Sequence, residues 1–314
     1  MVNQKLISVV TPCYNEEDNI ERAYFQIKEI FSPLVGYDYE HIFIDNSSQD
    51  KTVAILRKIA QEDSHIKIIV NARNFGFVRS CYYGLLQGRG DAVILIFADL
   101  QDSPQLIENF LHKWEEGYQV VQGIKQGSQE NFIVYQVRRL YYFLVGYLSD
   151  EIELTSNFTG FGLYDKKVIE ALKSIDDPYP YLKGLISEVG FTSTKVTYQQ
   201  NVRQGGKTSF NFYRMYDLAM LGITTHSNIP LRLATMLGFA MSIISGLVAL
   251  VTMIIKLLFW NYFPVGTAAI LVGIFFLSSI QLFFIGILGE YIGLMNKRLL
   301  KRPLVIERER INFD

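Results

Sequence analysis

Apolar runs and amphipathic runs alternate through the first two hundred residues. Leu6-Ile7-Ser8-Val9-Val10-Thr11-Pro12 reads as a buried strand ended by proline. Asn15-Glu16-Glu17-Asp18-Asn19 opens a helix, with acids in its first turn, that runs to about Phe31. Strands at 39–44, 66–70 and 92–98 and helices at 52–62 and 77–88 follow in alternation. This order predicts an α/β domain built on a parallel sheet with right-handed crossovers. Ligands of such sheets bind beyond the carboxyl ends of the strands.

Polar clusters fall at those ends. Asn15 and Glu16 follow the first strand, Asp45 the second, Arg73, Asn74 and Gly76 the third, and Asp99, Gln101 and Asp102 the fourth. One such cluster is ordinary helix capping; four in succession predict a shared pocket. No G-x-G-x-x-G and no G-x-x-x-x-G-K-[ST] occurs, so the phosphate-cradling loops of dinucleotide and P-loop proteins are absent. Carboxylate chemistry remains. Asp99-Leu100-Gln101-Asp102 sets hard oxygen ligands within four residues, a set that suits Mg²⁺ or Mn²⁺. Asp102-Ser103-Pro104 also starts a helix well, with Asp102 as its cap, leaving Asp99 and Gln101 to look inward.

The pattern changes after residue 205. Phe210, Phe212, Tyr213, Tyr216, Leu218, Met220 and Leu221 alternate with Arg214 and Asp217, as in an amphipathic helix lying at a membrane interface. From Leu233 to Gly289 the only charged residue is Lys256. Asn261 and Pro264 break this block into helices near 233–258 and 266–294, each longer than the ~20 residues a span needs. Trp260, Tyr262 and Phe263 at the turn fit an aromatic belt. Arg232 precedes the block, and Lys297, Arg298, Lys301, Arg302, Arg308 and Arg310 follow it. The positive-inside rule then puts both termini in the cytoplasm of a two-pass protein. The basic stretch from Lys297 to Arg302 would rest on anionic headgroups.

Composition adds exclusions. The 314 residues carry 30 Lys+Arg against 31 Asp+Glu, so no global basic field exists and nucleic acid is not an expected partner. Cys13 and Cys81 form no C-x-x-C and read as reduced thiols of a cytosolic domain. His41, His65, His112 and His226 make no ligand pair for zinc. The start runs straight into a strand pattern without a signal-peptide core. Gly238, Gly246, Gly273 and Gly286 would let spans pack closely, which fits a homo-oligomer.

Four motifs, taken in order and spacing, resemble family 2 glycosyltransferases. They are Val10-Thr11-Pro12-Cys13-Tyr14-Asn15-Glu16-Glu17, Asp45-Asn46-Ser47-Ser48-Gln49-Asp50-Lys51-Thr52, Arg73-Asn74-Phe75-Gly76 and Ala98-Asp99-Leu100-Gln101-Asp102-Ser103-Pro104. Arg203-x-x-Gly206-x-Thr208-Ser209 and Gly289-Glu290-Tyr291-Ile292-Gly293 extend the likeness over nearly the whole chain. Within that family it is most similar to the polyprenyl-phosphate glycosyltransferases, the bactoprenol glucosyltransferases first and dolichol-phosphate mannose synthase more distantly.

The resemblance implies a GT-A domain over 1–205, interface helices over 206–231, a two-helix membrane hairpin over 232–296 and a cytoplasmic basic tail over 297–314. It implies inverting transfer of one hexose from a nucleotide diphosphate sugar, UDP-glucose favoured, to undecaprenyl phosphate at the cytoplasmic leaflet of a bacterial inner membrane. Pro12, Tyr14, Asn15, Glu16, Arg73, Asn74, Gly76 and Leu100 would surround the nucleotide sugar, and Asp45 would bond the base. Asp99 and Gln101 would hold Mg²⁺ or Mn²⁺ on the diphosphate. Arg203 would act beside Asp99, and with Gly206, Lys207, Ser209 and Arg214 would take the acceptor phosphate. Two spans are too few for a translocation path, so a separate small flippase is an expected partner.

Two departures bear on mechanism. Phe97 stands where many members carry the first acid of Asp-x-Asp-Leu-Gln-Asp, so Asp99 carries more of the metal's load. Thr159-Gly160-Phe161-Gly162-Leu163 stands where many carry Gly-Asp-Phe-Arg-Leu, so an acid proposed as catalytic is missing. A hydroxyl acceptor needs a general base. A phosphate, with its second pKa about 6, does not. The alternatives are a hydroxyl or glycan acceptor served by another acid, and a sugar-nucleotide-binding protein of impaired catalysis.

Overall fold

The computed structural model describes residues 4–126, 158–200, 220–221, 229–258 and 267–313. Among these, eight strands form one sheet: β1 (Lys5–Cys13), β2 (Tyr37–Asp45), β3 (Ile66–Asn71), β4 (Ala92–Leu95), β5 (Val120–Lys125), β6 (Phe158–Asp165), β7 (Ser193–Tyr198) and β8 (Glu307–Ile311). Their order across the sheet is β7-β5-β6-β4-β1-β2-β3-β8. Six helices accompany them: α1 (Ile20–Phe31), α2 (Thr52–Glu62), α3 (Phe77–Leu85), α4 (Leu106–Glu115), α5 (Lys166–Ile175) and α6 (Leu182–Glu188).

The strand period of two divides the core. Val10, Ile42, Ile44 and Ile69 point to one face, against Cys81, Tyr82 and Leu85 of α3 and Val168 and Leu172 of α5. Ile7, Val9 and Ile94 point to the other, against Ile27 and Phe31 of α1 and Ile107 and Phe110 of α4. Phe43, Ile68 and Val70 meet Val53 and Leu56 of α2 on that second face. With both faces covered, the central strands can be apolar throughout.

The sheet is mixed, not parallel as expected. The neighbours β4, β1, β2 and β3 run parallel, but β6 enters antiparallel between β4 and β5. Direction is not written in a buried strand: β6 is hydrophobic on both faces like its neighbours, whichever way it runs.

The chain end is a second correction. The residues expected as a free basic tail return to the catalytic domain, where β8 pairs antiparallel with the edge strand β3. Glu309 reaches Arg57, and Tyr83 donates to Glu307 at 2.7 Å. Asn312 Nδ2 donates to the carbonyls of Ala60 and Ile66 at 2.8 and 2.9 Å. Val305 and Phe313 are buried on either side of the strand. Glu307-Arg308-Glu309-Arg310 reads as solvated because half of its side chains do face water; its backbone nevertheless satisfies the open edge of β3.

Two long helices, α7 (Ile229–Leu258) and α8 (Thr267–Leu299), occupy the positions expected for membrane spans. At 1.5 Å per residue they measure about 45 and 50 Å. Met236, Phe239, Leu247, Leu282, Phe283 and Ile285 are exposed on them. Among the described residues, no helix is long and apolar enough to cross a membrane. The fold thus supplies two long helices, and spanning stays an argument from the uncharged sequence. Arg203, Gly206, Lys207, Ser209 and Arg214, and nearly all of the 206–231 segment, lie outside the described residues.

Candidate active site

The carboxyl ends of β1, β2, β3 and β4 open on one cavity of about 440 Å³. That is within the usual size of a small-ligand site, roughly 300–1,000 Å³. Of the expected residues, Pro12, Tyr14, Glu16, Asn74, Gly76, Asp99 and Gln101 line it. Asn15, Asp45, Arg73 and Leu100 do not.

The loops at the strand ends are stitched together. Asn15 N donates to Ser48 Oγ (2.9 Å), Gln49 N to Asn15 Oδ1 (2.8 Å) and Glu16 N to Thr52 Oγ1 (2.9 Å). Asn15, Ser47 and Leu100 adopt left-handed φ values of 55°, 65° and 54°. Such backbone costs of order 1 kcal/mol or more per residue and persists where the surroundings enforce it. At Leu100 it sits between Asp99 and Gln101, the two residues expected to face a metal.

Asp45 is fully buried and does not reach the cavity. Its carboxylate accepts from the Ser48 hydroxyl and from Ser48 N at 2.9 Å. Burial raises its pKa, against those hydrogen bonds. It shapes the β2–α2 turn, and Asn46 beside it reaches the wall. Asn46 Oδ1 accepts from Phe75 N at 2.9 Å and from Asn71 Nδ2 at 3.2 Å, and its Nδ2 donates to Asn74 Oδ1 at 3.0 Å. Gly76, at φ +90°, then turns the chain into α3. Arg73 points outward over the Phe75 ring, 4.1 Å from its centroid.

Asp102 does not cap α4, as its sequence position suggested; α4 begins after Gln105, and no side chain caps it. Asp102 is buried and accepts the Tyr198 hydroxyl at 2.5 Å, with Gln200 Nε2 at 3.4 Å and Lys125 Nζ at 4.0 Å. Burial raises its pKa, while Lys125 and Tyr198 pull it back. It anchors the ends of β5 and β7 beside Gln101. Gln200 also reaches Gln101 Oε1 at 3.5 Å.

The cavity has residues that the strand-end clusters did not flag. Lys125, Thr159, Tyr181, Leu182 and Lys183 form its far wall, and Phe97 closes against Phe77 with ring centroids 5.6 Å apart. Lys125 and Lys183 are its cations. No periodicity marks them, because β5, β6 and α6 arrive from distant parts of the chain. Gly160 takes φ +102°, backbone that an acidic side chain would strain.

Among the described residues, no three His, Cys, Asp or Glu side chains converge as a metal cage. Asp99 and Gln101 nevertheless fit a magnesium-like ion. Such ions keep water and substrate phosphates, and take only one or two protein ligands. Glu16 is the other acid of the wall, and it accepts from Asn19 Nδ2 at 2.7 Å.

Residues 8–173 match the family model for Glycosyl transferase family 2. The chain belongs to that family. It is 35% identical to the uncharacterized glycosyltransferase sll0501 of Synechocystis, over 96% of this chain and 94% of that protein. It is 34% identical to the bactoprenol glucosyl transferase of Shigella phage SfII, over 96% of each. The prophage bactoprenol glucosyl transferase homolog of Escherichia coli K12 is 32% identical over 96% and 97%. Among solved structures, the mannosyltransferase PcManGT of Pyrobaculum calidifontis aligns over 95% of this chain and 88% of its own. The identity there is 16% and the TM-score 0.46. The α/β architecture with its central sheet is the GT-A fold of the family.

Proposed function

We propose that this family member transfers one hexose, glucose from UDP-glucose first among donors, to a polyprenyl phosphate such as undecaprenyl phosphate. The relatives named bactoprenol glucosyl transferase, similar over nearly their full length, support the acceptor class. The carrying observation is the cavity itself. It gathers Asp99, Gln101 and Lys125 at the strand ends with Lys183 of α6, a set suited to a diphosphate leaving group. A divalent ion bound at Asp99 and Gln101 supplies Lewis-acid neutralisation of that group. Lys125 and Lys183 add fixed positive charge where negative charge develops. Among the described residues the acids of the wall are Asp99, taken here for the metal, and Glu16, which accepts from Asn19 Nδ2, and Gly160 supplies none. A phosphate dianion attacks without one.

The membrane reading has a topological support. β1 to β3 precede α7 and α8, and β8 follows them in the same sheet. Both flanks of the helix pair therefore lie on one side, so the chain between them crosses a bilayer either not at all or an even number of times. Two spans with the catalytic domain and both termini in the bacterial cytoplasm satisfy this. The lipid-linked sugar then needs a separate flippase. Mixing purified chain with undecaprenyl phosphate, Mn²⁺ or Mg²⁺ and each of four labelled nucleotide sugars tests the reading. Label should enter the organic-extractable lipid with UDP-glucose. Donor hydrolysis without lipid labelling would sink the acceptor assignment.

A further inference from the structure

Two guanidinium groups share the Phe75 ring beside the link from α8 to β8, and Arg302 of that link is the chain neighbour of Pro303, which one of them bonds. Arg73 sits 4.1 Å from the Phe75 ring centroid, and Arg79 approaches the same ring at 5.6 Å. Arg79 Nη2 donates to the carbonyl of Pro303, the residue after Arg302. Arg79 Nε is buried with no partner. Burial lowers the Arg79 pKa, and the like charges of Arg73 and Arg302 lower it further. The acids of this region are already committed: Glu309 to Arg57, Glu307 to Arg310, Asp177 to Arg298. Among the described residues no carboxylate pairs with Arg73, Arg79 or Arg302. The half-buried Arg79, with Arg73 and Arg302 exposed near it, forms a cationic patch open to an anion.

None of the three lines the catalytic cavity, whose wall includes Asn74, Gly76, Phe77, Val78 and Ser80 but neither Arg73 nor Arg79. The anion is therefore not one held in that cavity. Guanidinium forks match phosphate oxygens. Leu299, Leu300 and Ile306 are exposed alongside and give an apolar flank that a free phosphate would leave in water. We propose that Arg73, Arg79 and Arg302 hold the phosphate of an anionic phospholipid. That contact would pin the catalytic domain to the bilayer surface beside α8. The proposal rests on the membrane reading of α7 and α8.

The test uses the full chain in nanodiscs of phosphatidylcholine with or without phosphatidylglycerol. Bound lipid is read by native mass spectrometry and stability by thermal unfolding. The wild type should retain phosphatidylglycerol in preference and melt higher with it. Arg302→Gln, at an exposed position, should weaken that preference about fivefold, and adding Arg79→Gln about fivefold again. An unchanged preference in both variants overturns the proposal. So does inorganic phosphate, added to phosphatidylcholine discs, reproducing the stabilisation. Failure of the wild type to enter either disc overturns the membrane reading and this proposal with it. Insertion without any phosphatidylglycerol preference overturns the proposal alone.

Discussion

Phe313→Ala probes whether the chain end truly belongs to the sheet. Phe313 is 9% exposed and packs into the core face that holds Val10, Ile69 and Leu85. Arg310 stands over its ring at 4.5 Å, with Lys67 and Arg89 at 5.6 and 5.9 Å. Truncating a buried Phe costs about 3–5 kcal/mol. Next to a chain terminus the neighbours can partly collapse, so about 3 kcal/mol is the working figure, including roughly 0.5 kcal/mol for the nearest cation. At about 2–4 °C per kcal/mol for a domain of this size, the melting temperature should fall by roughly 6–12 °C. Trp114 of α4, whose Nε1 donates to Asp165 at 2.8 Å, reports unfolding of the domain by fluorescence. Protease should cut the C-terminus of the variant earlier than that of the wild type. A shift under about 2 °C, with unchanged cleavage, would refute the docking of β8, and the even-crossing argument would fall with it.

Asp99→Asn should abolish Mn²⁺-stimulated transfer while leaving the melting temperature within about 2 °C, because among the described residues its carboxylate accepts only from Gln101 N, at 3.2 Å; retained stimulation would remove Asp99 from the metal site. His41 is fully buried, and burial pulls its pKa down to about 3. Its unfolded value is about 6.5, so the stability it contributes is present above that pH and drains as pH falls toward 3, by up to ~1.4 kcal/mol per unit. Chemical unfolding at pH 7 and pH 5 should show His41→Gln losing less stability on acidification than the wild type; equal losses would contradict the assignment. Gly160→Asp should lower the melting temperature by a few degrees without raising transfer, since φ +102° costs a side chain about 1–3 kcal/mol. A rise in transfer would show that the reaction wants the missing base.

Much of the molecule was legible in one dimension. The periods of β1, β2, β3 and α2, and the acids, amides and Gly76 at the strand ends, depend on residues close in sequence. Local sterics and burial patterns therefore suffice to place them. The departures at Phe97 and Gly160, and the uncharged stretch from Leu233 to Gly289, are likewise properties of the chain as written. Tertiary structure decided what depends on distant partners. It set the antiparallel insertion of β6, because hydrogen-bond direction leaves no mark on a strand buried on both faces. It turned Asp102 from a helix cap into a buried acceptor for Tyr198 and Gln200, and set Asn46 rather than Asp45 on the cavity wall. It brought Lys125 and Lys183 to the wall of that cavity. It also closed the sheet with β8, since an edge strand's unpaired backbone attracts whichever segment the whole fold delivers to it, whatever the polarity of its side chains.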